Sequence, residues 1–189
     1  MKYFLFILII MSIFCKNEEK IIIIMNTDFG NIHIELLTLQ APVTCNNFLR
    51  YLDENRYEDF HFYRSVTMDN QPKDKIKIEV IQGGLGFDQH PLELPSISHE
   101  TTDITGIRHL DGTISMARLN PGTASSEIFI CINDQPELDY GGKRNPDGQG
   151  FAAFGNVILG MDIIEHIHSL PEKRQLLNKK VKVNSIQRK

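Results

Sequence analysis

The apolar residues of this chain recur with a period of two, in short runs that turn-forming residues interrupt. Across residues 31–37, Ile32, Ile34 and Leu36 fall on one face, and His33 and Glu35 on the other. An extended strand separates residues in this way, because its successive side chains point to opposite sides. Residues 21–25 are a second β-rich run, and Asn26-Thr27-Asp28-Phe29-Gly30 between the two supplies a turn, so the pair reads as a hairpin. Further short strands are expected at residues 60–66, 78–82, 112–117, 128–132, 151–154 and 179–186. Two stretches carry helical spacing. Pro42 opens one, where its missing N–H costs nothing, with Val43, Phe48, Leu49 and Leu52 as the apolar stripe and Asn55 as terminator. Residues 161–167, with Ile163, Ile164 and Ile167, make the other. Residues 67–77 read as a polar surface loop, 86–110 mostly as loop, and 133–150 as a run of turns. The expected fold class is mainly β: an antiparallel barrel or sandwich with two helices.

The 189 residues are enough for one domain with a real core, expected to span residues 20–189. A net charge of -4 gives no reason to expect nucleic acid as a partner. The first 19 residues differ from the rest. Lys2 is followed by an apolar run from Tyr3 to Phe14, and then by Lys16, Glu18, Glu19 and Lys20. That run is too short to span a bilayer as a stable helix, and the pattern is that of a secretory signal. Cys15 closes it at the place where lipoproteins carry their acylated cysteine, although Ile13 and Phe14 are larger than the residues that usually precede one. Export, to a periplasm or to a membrane through a lipid anchor at Cys15, is therefore expected over residence in the cytoplasm. Cys45 and Cys131 sit in apolar surroundings and read as buried small hydrophobes.

Five segments stand out in order along the chain: Phe62-Tyr63-Arg64; Ile81-Gln82-Gly83-Gly84; Gly112-Thr113-Ile114-Ser115-Met116-Ala117; Ser126-Glu127-Ile128-Phe129-Ile130; and Phe154-Gly155-Asn156-Val157 with Gly160-Met161. In this order and spacing, from about Ile21 to Ile186, the chain resembles the cyclophilin family of peptidyl-prolyl cis-trans isomerases, and most closely its bacterial, single-domain members. The resemblance implies a closed eight-stranded antiparallel β-barrel capped by two α-helices. It also implies catalysis of rotation about X-Pro bonds in unfolded or flexible segments, which assists folding.

Such a reaction needs neither metal nor cofactor. A peptide C–N bond resists rotation by about 18–20 kcal/mol because it has partial double-bond character. In the twisted amide the nitrogen regains a lone pair, so a fixed donor aimed at it stabilises the transition state selectively. The resemblance implies that Arg64 is the main catalytic residue and that Gln82 steadies it and contacts the substrate carbonyl region. It places Phe129 at the floor of an apolar slot for the proline ring, Val80 and Leu138 on the walls, and Phe151 where relatives carry His or an aromatic residue. Ala117 and Arg118 match a step whose backbone binds the residues before proline, in the manner of an added strand. Glu127 stands where a glutamine is usual, adding an acid near Arg64.

Glu79 occupies a position that is usually large and apolar. Its carboxylate is either turned outward or paired with Arg64. The second arrangement would favour an alternative: a cyclophilin fold that holds proline-containing segments as a chaperone or scaffold with little turnover. His166 and His168 form an HxH with no accompanying ligand cluster, so no metal site is expected. Proline-containing polypeptides are the expected partners, and a monomer is the expected state.

Overall fold

A computed structural model describes residues 21–189, so the leader and Cys15 lie outside the described residues. The expected hairpin forms from β1 (Ile21–Thr27) and β2 (Gly30–Leu36), paired antiparallel from Ile21↔Leu36 to Thr27↔Gly30. Helix α1 (Pro42–Asp53) follows, and then β3 (His61–Val66), β4 (Val80–Gly84), the four-residue helix α2 (Thr102–Thr105), β5 (Thr113–Met116) and β6 (Ile128–Cys131). The chain ends with β7 (Ala152–Leu159), α3 (Met161–His168), β8 (Glu172–Lys173) and β9 (Leu176–Arg188).

The sheet runs β1-β2-β7-β5-β6-β4-β3-β9, and β9 pairs again with β1. Eight antiparallel strands thus close on themselves, and β8 is a short hairpin partner added to β9. Closure leaves no free edge within the ring. Inward side chains fill the barrel: Phe62 from β3, Ile81 from β4, Ile114 and Met116 from β5, Ile128 and Ile130 from β6. Helix α1 lays Phe48 against Phe154 of β7, with ring centroids 5.6 Å apart. Cys45 and Cys131 are buried free thiols, as the sequence suggested, and burial pushes Cys45 up to about 12.

The structure departs from the sequence reading in four places. Strand β7 continues to Leu159 rather than stopping at Phe154. Gly155, just past the expected end, permits a close approach: a Cβ there would lie 2.6 Å from the carbonyl oxygen of Glu35 on β2. Helix α2 lies inside the stretch read as loop, since four residues are too few to show a helical period. The last strand begins at Leu176 rather than 179, because Arg174 and Gln175 take left-handed φ of 54° and 71° and turn β8 onto β9. Finally, β4 starts at Val80. Ile78 instead pairs with the side chain of Gln71, whose amide also donates to the carbonyl of Thr67 and so ties the 67–77 loop to the barrel.

Candidate active site

Barrel register decides what the outer face presents. Arg64 lies opposite Gln82, Gln82 opposite Phe129, and Phe129 opposite Ser115. Residues directly opposed across neighbouring strands share a face, so these four form one row across β3, β4, β6 and β5. A second row joins Val66, Val80 and Cys131. Between Phe62 and Arg64 the register shifts on both sides of β3, leaving Tyr63 as an extra residue. This bulge lets Phe62 point into the core while Arg64, two residues on, faces outward beside Gln82.

The row borders a cavity of about 460 Å³ lined by Arg64, Ile78, Val80, Gln82, Phe129 and Leu138, with Ala117, Arg118, Glu127 and Phe151 around its rim. All nine residues singled out from the sequence therefore meet at one cavity. Its apolar end is a small cluster outside the barrel core: Val66, Ile78, Val80, Phe129, Cys131 and Leu138, with Ala117 and Phe151 packed against it. The Phe129 and Phe151 rings meet edge to face at 5.2 Å. Beneath Phe129, the buried His109 stacks at 5.9 Å. His109 bridges Asp139 (2.7 Å from Nδ1) and Ser115 (2.9 Å from Nε2). His109 and Ser115 are sealed from solvent, so the chain seats the ring and offers no nucleophile. Burial raises the Asp139 carboxyl, but hydrogen bonds from His109 outweigh this and hold it below the usual range.

Arg64 is gripped from two sides. Nη1 donates to Gln82 Oε1 at 2.8 Å, while Nε (3.0 Å) and Nη2 (2.6 Å) both donate to Gln175 Oε1. Burial and the charge of Arg144 make its cation costlier than in water. A guanidinium nevertheless stays protonated, and it carries five N–H groups. One hydrogen on Nη1 and one on Nη2 are left for a ligand in the cavity. Behind the fork, Gln82 Nε2 donates to the Tyr63 hydroxyl, which donates in turn to Glu127. Glu127 also accepts from the Gly86 N–H and the Ser126 hydroxyl. Burial raises its carboxyl, and burial with the Glu127 charge raises the Tyr63 phenol well above its usual range.

Neither acid near the site pairs with Arg64. Glu127 does not pair with Arg64: its oxygens are taken by Tyr63, Gly86 and Ser126, and it reaches the arginine only through Tyr63 and Gln82. Glu79 is turned outward, accepting from Asn133 at 3.2 Å. The period of two puts Ile78 on the cavity side in its place, next to Val80 and Gln82. The Arg118 side chain is fully covered: it lies over the Phe151 ring, clamps Asp147 with two hydrogen bonds and reaches the carbonyl of Gly150. Those bonds lower the Asp147 carboxyl to about 2.

Four residues of the site were not singled out from the sequence. Ile78 was signalled by its alternation with Val80, but Glu79 masked it. Tyr63 was part of a quoted motif, yet its link to Gln82 depends on the bulge. His109 and Gln175 gave no signal, since each reaches the site from a loop.

The profile described as "Cyclophilin type peptidyl-prolyl cis-trans isomerase/CLD" matches residues 22–188. The chain belongs to the cyclophilin family. This cyclophilin is 34% identical over 151 residues to a peptidyl-prolyl cis-trans isomerase of Acinetobacter baylyi, covering 78% of this chain and 71% of the relative. A Streptomyces antibioticus isomerase is also 34% identical, with 76% and 80% covered. A solved Cryptosporidium parvum cyclophilin shares the fold at a TM-score of 0.70 and 20% identity, over 90% of this chain and 98% of that one. The protein is a peptidyl-prolyl cis-trans isomerase of the cyclophilin type.

Proposed function

We propose that this cyclophilin turns X-Pro bonds in unfolded or flexible segments of exported proteins, with Arg64 as the catalytic residue. The observation that carries the reading is the row Arg64–Gln82–Phe129, which sets a braced cation beside an apolar slot. Proline enters the slot between Phe129, Ile78, Val80 and Leu138, with Phe151 above. The residues before it run past Ala117 and Arg118. The Arg118 N–H and carbonyl have no partner among the described residues, so both are available to a peptide strand. Gln82 holds the fork. The two spare N–H groups of Arg64 then meet the amide nitrogen as it pyramidalises, and the planar forms gain less from them. No bond is made to the protein, so neither nucleophile nor cofactor takes part.

The holding-module alternative loses its support once Glu79 is directed to Asn133 and away from Arg64. A cyclophilin of Cryptosporidium parvum has been solved in the presence of the dipeptide Ala-Pro, the minimal X-Pro unit. Export rests on the first 19 residues, with Cys15 as a candidate lipid anchor, and a monomer is the state assigned. Two-dimensional exchange NMR on a short Ala-Pro peptide tests the activity: enzyme at a small fraction of the peptide concentration is expected to speed cis–trans exchange, which is otherwise slow over tens of seconds. Peptide shifts without faster exchange would return the holding module. Mass spectrometry of the mature protein tests the rest, since an intact Met1 start on cytoplasmic material would remove the export reading.

A further inference from the structure

Gln175 occupies a backbone conformation that a glutamine seldom takes. With Arg174 it forms the two-residue turn from β8 to β9, at φ 71°, where Gly or Asn is the usual occupant. A strained residue that persists is held by its surroundings, and such residues gather where function requires them. Gln175 is held on several sides. Its N–H donates to Glu172 on β8, its carbonyl accepts from the Ser65 N–H on β3, and its side-chain amide donates to the Asn70 carbonyl at 3.2 Å. With the nitrogen so committed, Oε1 faces Arg64 and accepts from both Nε and Nη2.

We infer that Gln175 is a positioning residue for Arg64, bracing the edge of the guanidinium opposite Gln82. The inference rests on the catalytic reading of Arg64. Gln82 alone touches Nη1 and would leave the fork free to swing about its long side chain. The second acceptor, on the Nε–Nη2 edge, fixes the plane and so aims the two remaining N–H groups. Small errors in such aim lower rates steeply. The brace comes from a different part of the chain, 111 residues beyond Arg64. The bulge of β3 brings the two together, because it pairs Arg64 with Leu176, next to Gln175.

The turn gives a test in which structure and catalysis predict opposite signs. Gln175→Gly relieves the left-handed residue, so thermal stability is expected to hold or rise. At the same time kcat for Ala-Pro exchange is expected to fall about tenfold with peptide affinity changed less than about twofold. The Arg64 Nε–Hε resonance is expected to lose its protection from solvent exchange in this variant. Gln175→Glu, which keeps an acceptor at the same reach, is expected to recover the protection, while the carboxylate it sets on Arg64 keeps the rate below that of the wild type. In an Arg64→Ala background, Gln175→Gly is expected to add nothing. An unchanged kcat with an unchanged Nε–Hε signal would overturn the inference, as would an equal further loss without Arg64. Were the wild type to leave exchange unaccelerated, the catalytic reading would fail by itself, while the Nε–Hε signal would still report whether Gln175 holds Arg64.

Discussion

Replacing Arg64 by alanine is expected to slow catalysed Ala-Pro exchange by about 10²–10³, the usual effect of deleting one preorganised transition-state donor. The slot formed by Ile78, Val80, Phe129 and Leu138 stays intact, so peptide is expected still to bind. The fold is expected to persist, because Arg64 lies on the outer face and its partners Gln82 and Gln175 can turn to water in the opened cavity. Arg64→Lys is expected to recover little. An ammonium is a point charge without the planar fork that spans the Gln82 and Gln175 oxygens together. Exchange NMR at matched saturation, with a thermal melt on the same samples, reads both properties. Turnover within a few-fold of wild type in Arg64→Ala would move the catalytic role to another donor.

Phe129→Ala is expected to damage both binding and stability. Phe129 is 4% exposed, and its ring is seated on His109 and meets Phe151 edge to face. Removing it leaves a hole that these neighbours cannot fill, since His109 is tied to Asp139 and Ser115. Loss of a buried phenylalanine costs about 3–5 kcal/mol. The lower end applies here, because Phe129 belongs to the small outer cluster and the barrel core beneath it keeps its packing. For a domain of this size that corresponds to a fall in Tm of roughly 6–12 °C. Peptide affinity is expected to drop more than about tenfold, as the proline ring loses its main apolar contact. A titration followed by a melt separates the two effects. Unchanged peptide affinity in Phe129→Ala would mean that proline docks elsewhere on the rim.

The two substitutions divide the site by physics. Arg64 supplies a directional charge that matters when the amide twists. Phe129 supplies area, which planar and twisted forms use alike. The first is therefore expected to appear in the rate at saturation, the second in binding and folding.

Legibility in the sequence followed the range of the interactions. Strand alternation at Ile32, Ile34 and Leu36 survived unchanged in β2, because one face of that strand is buried in the barrel. The extension of β7 through Gly155 was not legible, since a glycine that breaks a run and one that admits a neighbouring backbone look alike until the neighbour, Glu35, is in place. Glu79 was ambiguous for a related reason. Its identity carries no direction, and the direction came from the period of two that faces Ile78, Val80 and Gln82 to the cavity.

Local chemistry in the sequence was sufficient for the mainly β class and the helices begun by Pro42 and Met161, because propensity and period act over a few neighbours, while Arg64, Gln82 and Phe129 were marked by the resemblance of their segments to the cyclophilin family. Tertiary structure alone decided the row that sets these three residues side by side, the His109 seat under the ring, and the reach of Gln175 to Arg64. Those features depend on register between strands and on a bulge at Tyr63. Register is set by closure of the whole ring, a global condition that no short segment encodes.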